Sequence, residues 1–143
     1  PDGWWRVHAL EINLRKGGTT HPYAVLRNLV PGRYDAGSGQ WCAADGSSRA
    51  YYSTDNLVDG AWLGLAPAAA IGAVDDAGLR FDPRTGAGVV LHMLSCLAVD
   101  GRCGLTAIGH TPQQAAELYT ATREALDAAA RRHAPAVTRP APV

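Results

Sequence analysis

Hydrophobic and polar positions alternate along residues 4–14 (WWRVHALEINL) after an opening aromatic pair. His8, Leu10, Ile12 and Leu14 fall on one face, and Val7, Ala9, Glu11, Asn13 and Arg15 on the other, because successive side chains of a strand point to opposite sides. This predicts a strand with an apolar back and a front that turns polar towards its end. Lys16-Gly17-Gly18 breaks the pattern, since paired glycines admit backbone angles that a strand does not. A helix is predicted from about Pro22 to Val30, with Thr20 or His21 as cap and Pro31-Gly32 as the stop. Residues 32–50 read as an exposed loop or irregular hairpin, and Tyr51–Thr54 as a short strand. Pro67 to about Ala77 reads as a short helix, with Gly78 placed for a left-handed cap.

Val89–Val99 is apolar on both faces, the mark of a strand covered above and below. Asp100-Gly101 is then expected as a two-residue turn, with Leu105–Ile108 returning beside it. In that register Ala98 faces Cys103 and Leu105 faces Cys96. The two thiols are then diagonal neighbours about 7–8 Å apart, an awkward distance for a bridge. Thr111-Pro112-Gln113-Gln114 carries a capping box and opens a helix to about Arg132. The predicted fold class is α+β, a mostly antiparallel sheet with flanking helices. Residues 1–133 form the folded unit, and 134–143 a Pro-rich flexible tail.

Composition narrows the field. Thirteen basic and 13 acidic residues balance to a formal net charge of zero, so nucleic acid is not the expected partner. No apolar run reaches the roughly 18–20 residues that span a bilayer, and Asp2, Arg6 and Glu11 interrupt any secretory pattern. Three cysteines (Cys42, Cys96 and Cys103) without C-x-x-C spacing argue for free thiols and a cytoplasmic setting. The chain enters a strand within a few residues of Pro1, from which an upstream part of a longer protein is expected.

Candidate chemistry gathers at the end of the first strand. Glu11, Asn13 and Arg15 lie two residues apart and so project from one face. A carboxylate and an amide oxygen together suit magnesium, a hard cation that prefers oxygen and leaves positions for phosphate. Arg15 can fork onto a phosphoryl or carboxylate group. Lys16, Gly17, Gly18, Thr19, Thr20 and His21 follow, offering backbone N–H groups and hydroxyls beside a helix start that favours an anion. E-x-N-x-R alone occurs by chance on many solvated strands; the glycine-rich continuation is what makes the segment pocket-like.

Residues 11–22 (EINLRKGGTTHP) resemble the final active-site strand and loop of ATP-grasp carboxylate–amine ligases, with the nearest likeness to the pheganomycin type of peptide ligase. The likeness continues in Tyr51–Leu57, Gly88–Leu94 and Gly104–Gly109. It implies the C-terminal part of an ATP-grasp domain acting in two steps: ATP phosphorylates a carboxylate, and an amine displaces phosphate to leave an amide. On this resemblance Glu11 and Asn13 would hold magnesium, Arg15 would steady the phosphoryl group, and Lys16 to His21 would shape the substrate site. It also implies a nucleotide held between two lobes, with the gripping lysines upstream. The only lysine here is Lys16, so this part alone is expected to be inactive. The implied partners are ATP, a carboxylate, an amine and the missing N-terminal lobe; a homo-oligomer is compatible with all of this.

The rival expectation is a non-catalytic α+β binding or assembly module. The remaining polar and aromatic residues carry plainer readings. His8 and His92 are expected as hydrogen-bonded core histidines, His110 as a surface residue near a cleft, and Asp55-Asn56 either as part of the family-like segment or equally as an Asx turn. Trp4, Trp5, Trp41 and Trp62 are expected as core or interface anchors, and Asp75-Asp76 as a solvated helix face.

Overall fold

The computed structural model describes residues 17–133. The predicted strand at 4–14, with Glu11, Asn13, Arg15 and Lys16, the aromatic pair and His8, lies outside the described residues, as does the tail from 134. The described chain is α+β. In order it forms α1 (Thr20–Leu29), β1 (Gly32–Asp35), β2 (Gln40–Ala43), β3 (Ser48–Val58), α2 (Pro67–Asp76), β4 (Gly88–His92), α3 (Leu97–Asp100), β5 (Arg102–Gly109) and α4 (Pro112–His133). The five strands make one sheet in the order β1-β2-β3-β5-β4, antiparallel throughout.

β5 is the centre of the molecule, buried from Cys103 to Gly109. Leu105 and Ala107 join Leu57, Trp62 and Leu126 in a core with α2 and α4. Ile108 points the other way, into a smaller core with Leu26, Val30 and Trp41 beneath α1. The cover expected of Val89–Val99 thus falls on β5, while β4 stands at the edge of the sheet. α4 docks by Ala115, Leu126 and Ala129, with Thr122 closing its buried hydroxyl onto the Leu118 carbonyl at 2.7 Å. No helix of the described residues is long and apolar enough to cross a membrane.

Several elements differ from expectation. α1 begins at Thr20 rather than Pro22. Pro22 sits in the first turn, where the backbone N–H groups have no helical partner and proline costs nothing. Thr19 occupies the cap without a side-chain bond; the Thr20 hydroxyl instead accepts from the Gly17 N–H at 3.2 Å. Residues 32–50 resolve into the β1–β2 hairpin and the start of a β3 much longer than Tyr51–Thr54. The expected Val89–Val99 strand ends at His92. A 3-10 turn at Leu94–Cys96 and α3 follow, so Asp100-Gly101 is no two-residue turn, and Leu105 pairs with Leu91 rather than Cys96. Apolarity on both faces is shared by buried strand and buried helix, and periodicity does not separate them.

Other expectations hold. Gly78 follows α2 at φ 67, the left-handed cap position. Thr111 Oγ1 accepts from the Gln114 N–H at 3.1 Å, while the Gln114 side chain accepts from the His110 N–H at 2.7 Å, one residue before the cap. Cys42, Cys96 and Cys103 are free thiols; burial pushes that of Cys103 up to about 11. Arg49 is buried, and its guanidinium donates to the Gly86 and Ser48 carbonyls and to Ser47 and Asp45, tying the 82–87 turn to the β2–β3 hairpin.

Candidate functional site

The loop before α1 opens onto a cleft of about 640 Å³ between the N-terminus of α1, the middle of β3 and the end of β4. Gly17, Gly18, Thr19 and His21 form one wall; Ser53, Asp55 and His92 face them. Of the residues singled out by sequence, Gly17, Gly18, Thr19 and His21 are therefore brought together, and Thr20 fixes their turn through its hydroxyl and its N–H, which donates to the Gly17 carbonyl at 3.0 Å. A Cβ at Gly17 or Gly18 would meet nothing within 4 Å among the described residues, so on that side the backbone is open to an approaching ligand.

The opposite wall was not legible as a site. Ser53 pairs with Thr106 across the β3–β5 ladder, and its hydroxyl meets Thr106 Oγ1 at 2.9 Å and the Leu105 carbonyl at 3.0 Å. A register shift between Thr54 and Leu57 breaks that ladder, as bulges do where side chains are re-aimed. The turn there belongs to Thr54, whose hydroxyl accepts from the Asn56 N–H at 3.0 Å, rather than to an Asx turn. Asp55 is left in the cleft wall.

His92 corrects a further expectation. It is half-buried at the cleft rather than hydrogen-bonded in the core, and its Nδ1 has no partner among the described residues. The reason is the end of β4: Met93 turns left-handed at φ 55 and ψ 30, an uncommon state for a side chain of its size, and releases the strand beside the cleft. The His92 ring lies 4.1 Å from that of His21, tilted by 54°. Burial, then the neighbouring His21, holds the His92 imidazole below its ordinary value, with Asp55 pulling the other way.

The ring has room only because its ladder partner is glycine. A Cβ on Gly104 would stand 2.0 Å from His92 Nε2 and 2.1 Å from Cδ2. Gly104→Ala is expected to cost about 1–3 kcal/mol, as overpacking does, and to drive the imidazole off His21. Adding His92→Ala should recover most of that loss, because the two changes share one contact. Urea denaturation of both single variants and the double variant checks this; additive losses would show that the two positions do not interact. A glycine inside an apolar strand was the signal available in the sequence.

Comparison with known proteins bears on this geometry. Residues 69–122, from α2 through β4 and β5 into α4, match the PGM1 C-terminal domain. The chain is 38% identical over 119 residues to the L-propargylglycine–L-glutamate ligase of Streptantibioticus cattleyicolor. Through both matches the chain resembles the ATP-grasp carboxylate–amine ligases. The match takes in 82% of this chain and 24% of that ligase, so the chain spans about a quarter of its relative's length. No solved structure matches it. Within the family match lie His92 and Met93 of the cleft and Gly104, the ladder partner of His92; Gly17–His21, Ser53 and Asp55 precede it.

Proposed function

We propose that this chain supplies the magnesium-binding strand and the substrate loop of an ATP-dependent enzyme that joins a carboxylate to an amine through an acyl phosphate. The observation that carries the reading is the meeting of Gly17, Gly18, Thr19 and His21 with Ser53, Asp55 and His92 around one cleft, directly downstream of Glu11, Asn13 and Arg15. The oxygen donors of Glu11 and Asn13 suit magnesium, and the open backbone at Gly17 and Gly18 suits a ligand that approaches closely. Magnesium, when bound, supplies Lewis acidity and a template for the phosphates.

In this proposal Glu11 and Asn13 hold that ion, and Arg15 steadies the phosphoryl group in transfer. Lys16, Gly17, Gly18, Thr19 and Thr20 shape the place where carboxylate and γ-phosphate meet, with N–H groups at the start of α1 facing the developing negative charge. His21 contacts substrate from the cleft wall, beside His92. ATP is the co-substrate, and the nucleotide-gripping lobe lies elsewhere in the full-length protein.

The test uses that full-length protein with ATP, magnesium and paired carboxylate and amine libraries. ADP release is expected only when carboxylate and magnesium are both present, and hydroxylamine in place of the amine should trap a hydroxamate from the acyl phosphate. ADP release that ignores the carboxylate, or a hydroxamate that never forms, would sink the two-step reading; no ADP release under any pairing would favour a non-catalytic module.

A further inference from the structure

A second cleft, of about 550 Å³, adjoins the first. Tyr51 lines both. The two share a floor, because Arg49, Tyr51 and Ser53 follow one another at period two along the same face of β3. Ser53 belongs to the first cleft and Arg49 to the second, about 13 Å apart along the strand at some 3.3 Å per residue. The start of α1 straddles this row, giving His21 to one cleft and Tyr23 to the other.

The walls of the second cleft are aromatic. Tyr23, Tyr34 and Tyr51 are 39%, 54% and 38% exposed around a buried Trp41. Tyr23 stands edge-on to Trp41 at 6.1 Å and 80°. Rings left this accessible around a concavity mark binding surfaces, because they offer large apolar contact at little conformational cost. The cleft also has no carboxylate and no lysine among its described lining residues. Arg49 is the one guanidinium among its described lining residues, and it is committed to Asp45, Ser47 and three backbone carbonyls.

We propose that the second cleft binds a neutral aromatic or large apolar side chain of the substrate whose reacting group occupies the first. This rests on the ligase reading for the first cleft. The shared Tyr51 floor selects a substrate longer than a single small amino acid. Lack of a carboxylate, a lysine or an uncommitted guanidinium among the described lining residues selects against an ionic side chain, since such a group would leave water without a partner.

Two measurements test it on the full-length protein. In the first, N-acetyl-L-phenylalaninamide, which has neither a free carboxylate nor a free amine, is titrated by amide NMR against N-acetyl-L-alaninamide. The aromatic probe is expected to shift signals at Tyr34, Gly39 and His110 and to bind at least tenfold more tightly than the small one. In the second, Tyr34→Ala is expected to raise KM about tenfold for aryl-bearing substrates while leaving kcat, and KM for small substrates, unchanged. Equal binding of the two probes, or an unchanged aryl KM in an enzyme that releases ADP, would overturn the subsite and leave the ligase reading standing. Probe binding at the second cleft with no ADP release under any substrate pair would do the reverse.

Discussion

Glu11→Ala in the full-length protein is expected to lower substrate-dependent ADP release by about 10³-fold or more, a loss of roughly 4 kcal/mol of transition-state stabilisation. In the proposed arrangement Glu11 is the anionic member of the Glu11–Asn13 pair. Asn13 alone brings an oxygen but no charge, and magnesium held by an amide and water would be bound more weakly and placed less exactly between phosphates. The deficit should appear as a raised magnesium requirement together with a lower kcat. Glu11→Gln separates the two contributions: it keeps an oxygen at the same reach and removes the charge, so a magnesium requirement intermediate between wild type and Glu11→Ala is expected. Measuring ADP release against magnesium concentration for all three proteins decides the matter. Equal release by wild type and Glu11→Ala would end the metal assignment.

How far this arrangement could be read beforehand differs between the two cleft walls. Gly17–His21 was legible because its signals are local: paired glycines end one pattern and a helix start follows within a few residues. The facing wall depends on pairing between distant segments. Ser53 meets Thr106 across 53 positions, and His92 reaches the cleft only because β4 stops where Met93 turns left-handed. Nothing in the run Val89–Val99 separates a five-residue strand followed by helical turns from one continuous strand, since both bury the same apolar residues. Register carried the same ambiguity. The Asp100-Gly101 turn was a sound local signal, yet α3 packs Leu97 into the core and lets Gly101 close a helical turn at φ 72 instead.

Fold class was easier to read than boundaries for a related reason. Two-sided burial is expected of Val89–Val99, whereas β5 is the strand buried on both faces, but α4 announces itself through Thr111, Pro112 and Gln114. The length of β3 does not, because its ends, Ala50 and Val58 among them, are held in the sheet by pairing with Gly109 and Arg102 of β5 rather than by a local signal.

Trp62→Ala is expected to cost about 3–5 kcal/mol, the range for removing a buried large aromatic and a large share of the 5–15 kcal/mol that holds a typical domain together. Trp62 is fully buried, although it sits in a three-residue 3-10 turn, Gly60–Trp62, between β3 and α2. So short a turn has little stability of its own, and it is fixed from both ends. The Asp59 carboxylate accepts from the Ala61 N–H at 2.8 Å, and the Trp62 indole N–H donates to Asp127 of α4, also at 2.8 Å. The ring thereby joins the β3–α2 connection to the helix that covers β3 and β5. Truncation removes the ring from the core with Leu65, Leu97 and Leu126 and frees that connection at once. Trp62→Phe distinguishes packing from the hydrogen bond. It keeps much of the apolar volume, loses the N–H, and leaves a partly exposed Asp127 that water can serve, so a loss of about 1–2 kcal/mol is expected. Chemical denaturation of the three proteins measures both values. If phenylalanine costs as much as alanine, the indole–Asp127 bond rather than the packed ring anchors this turn against α4.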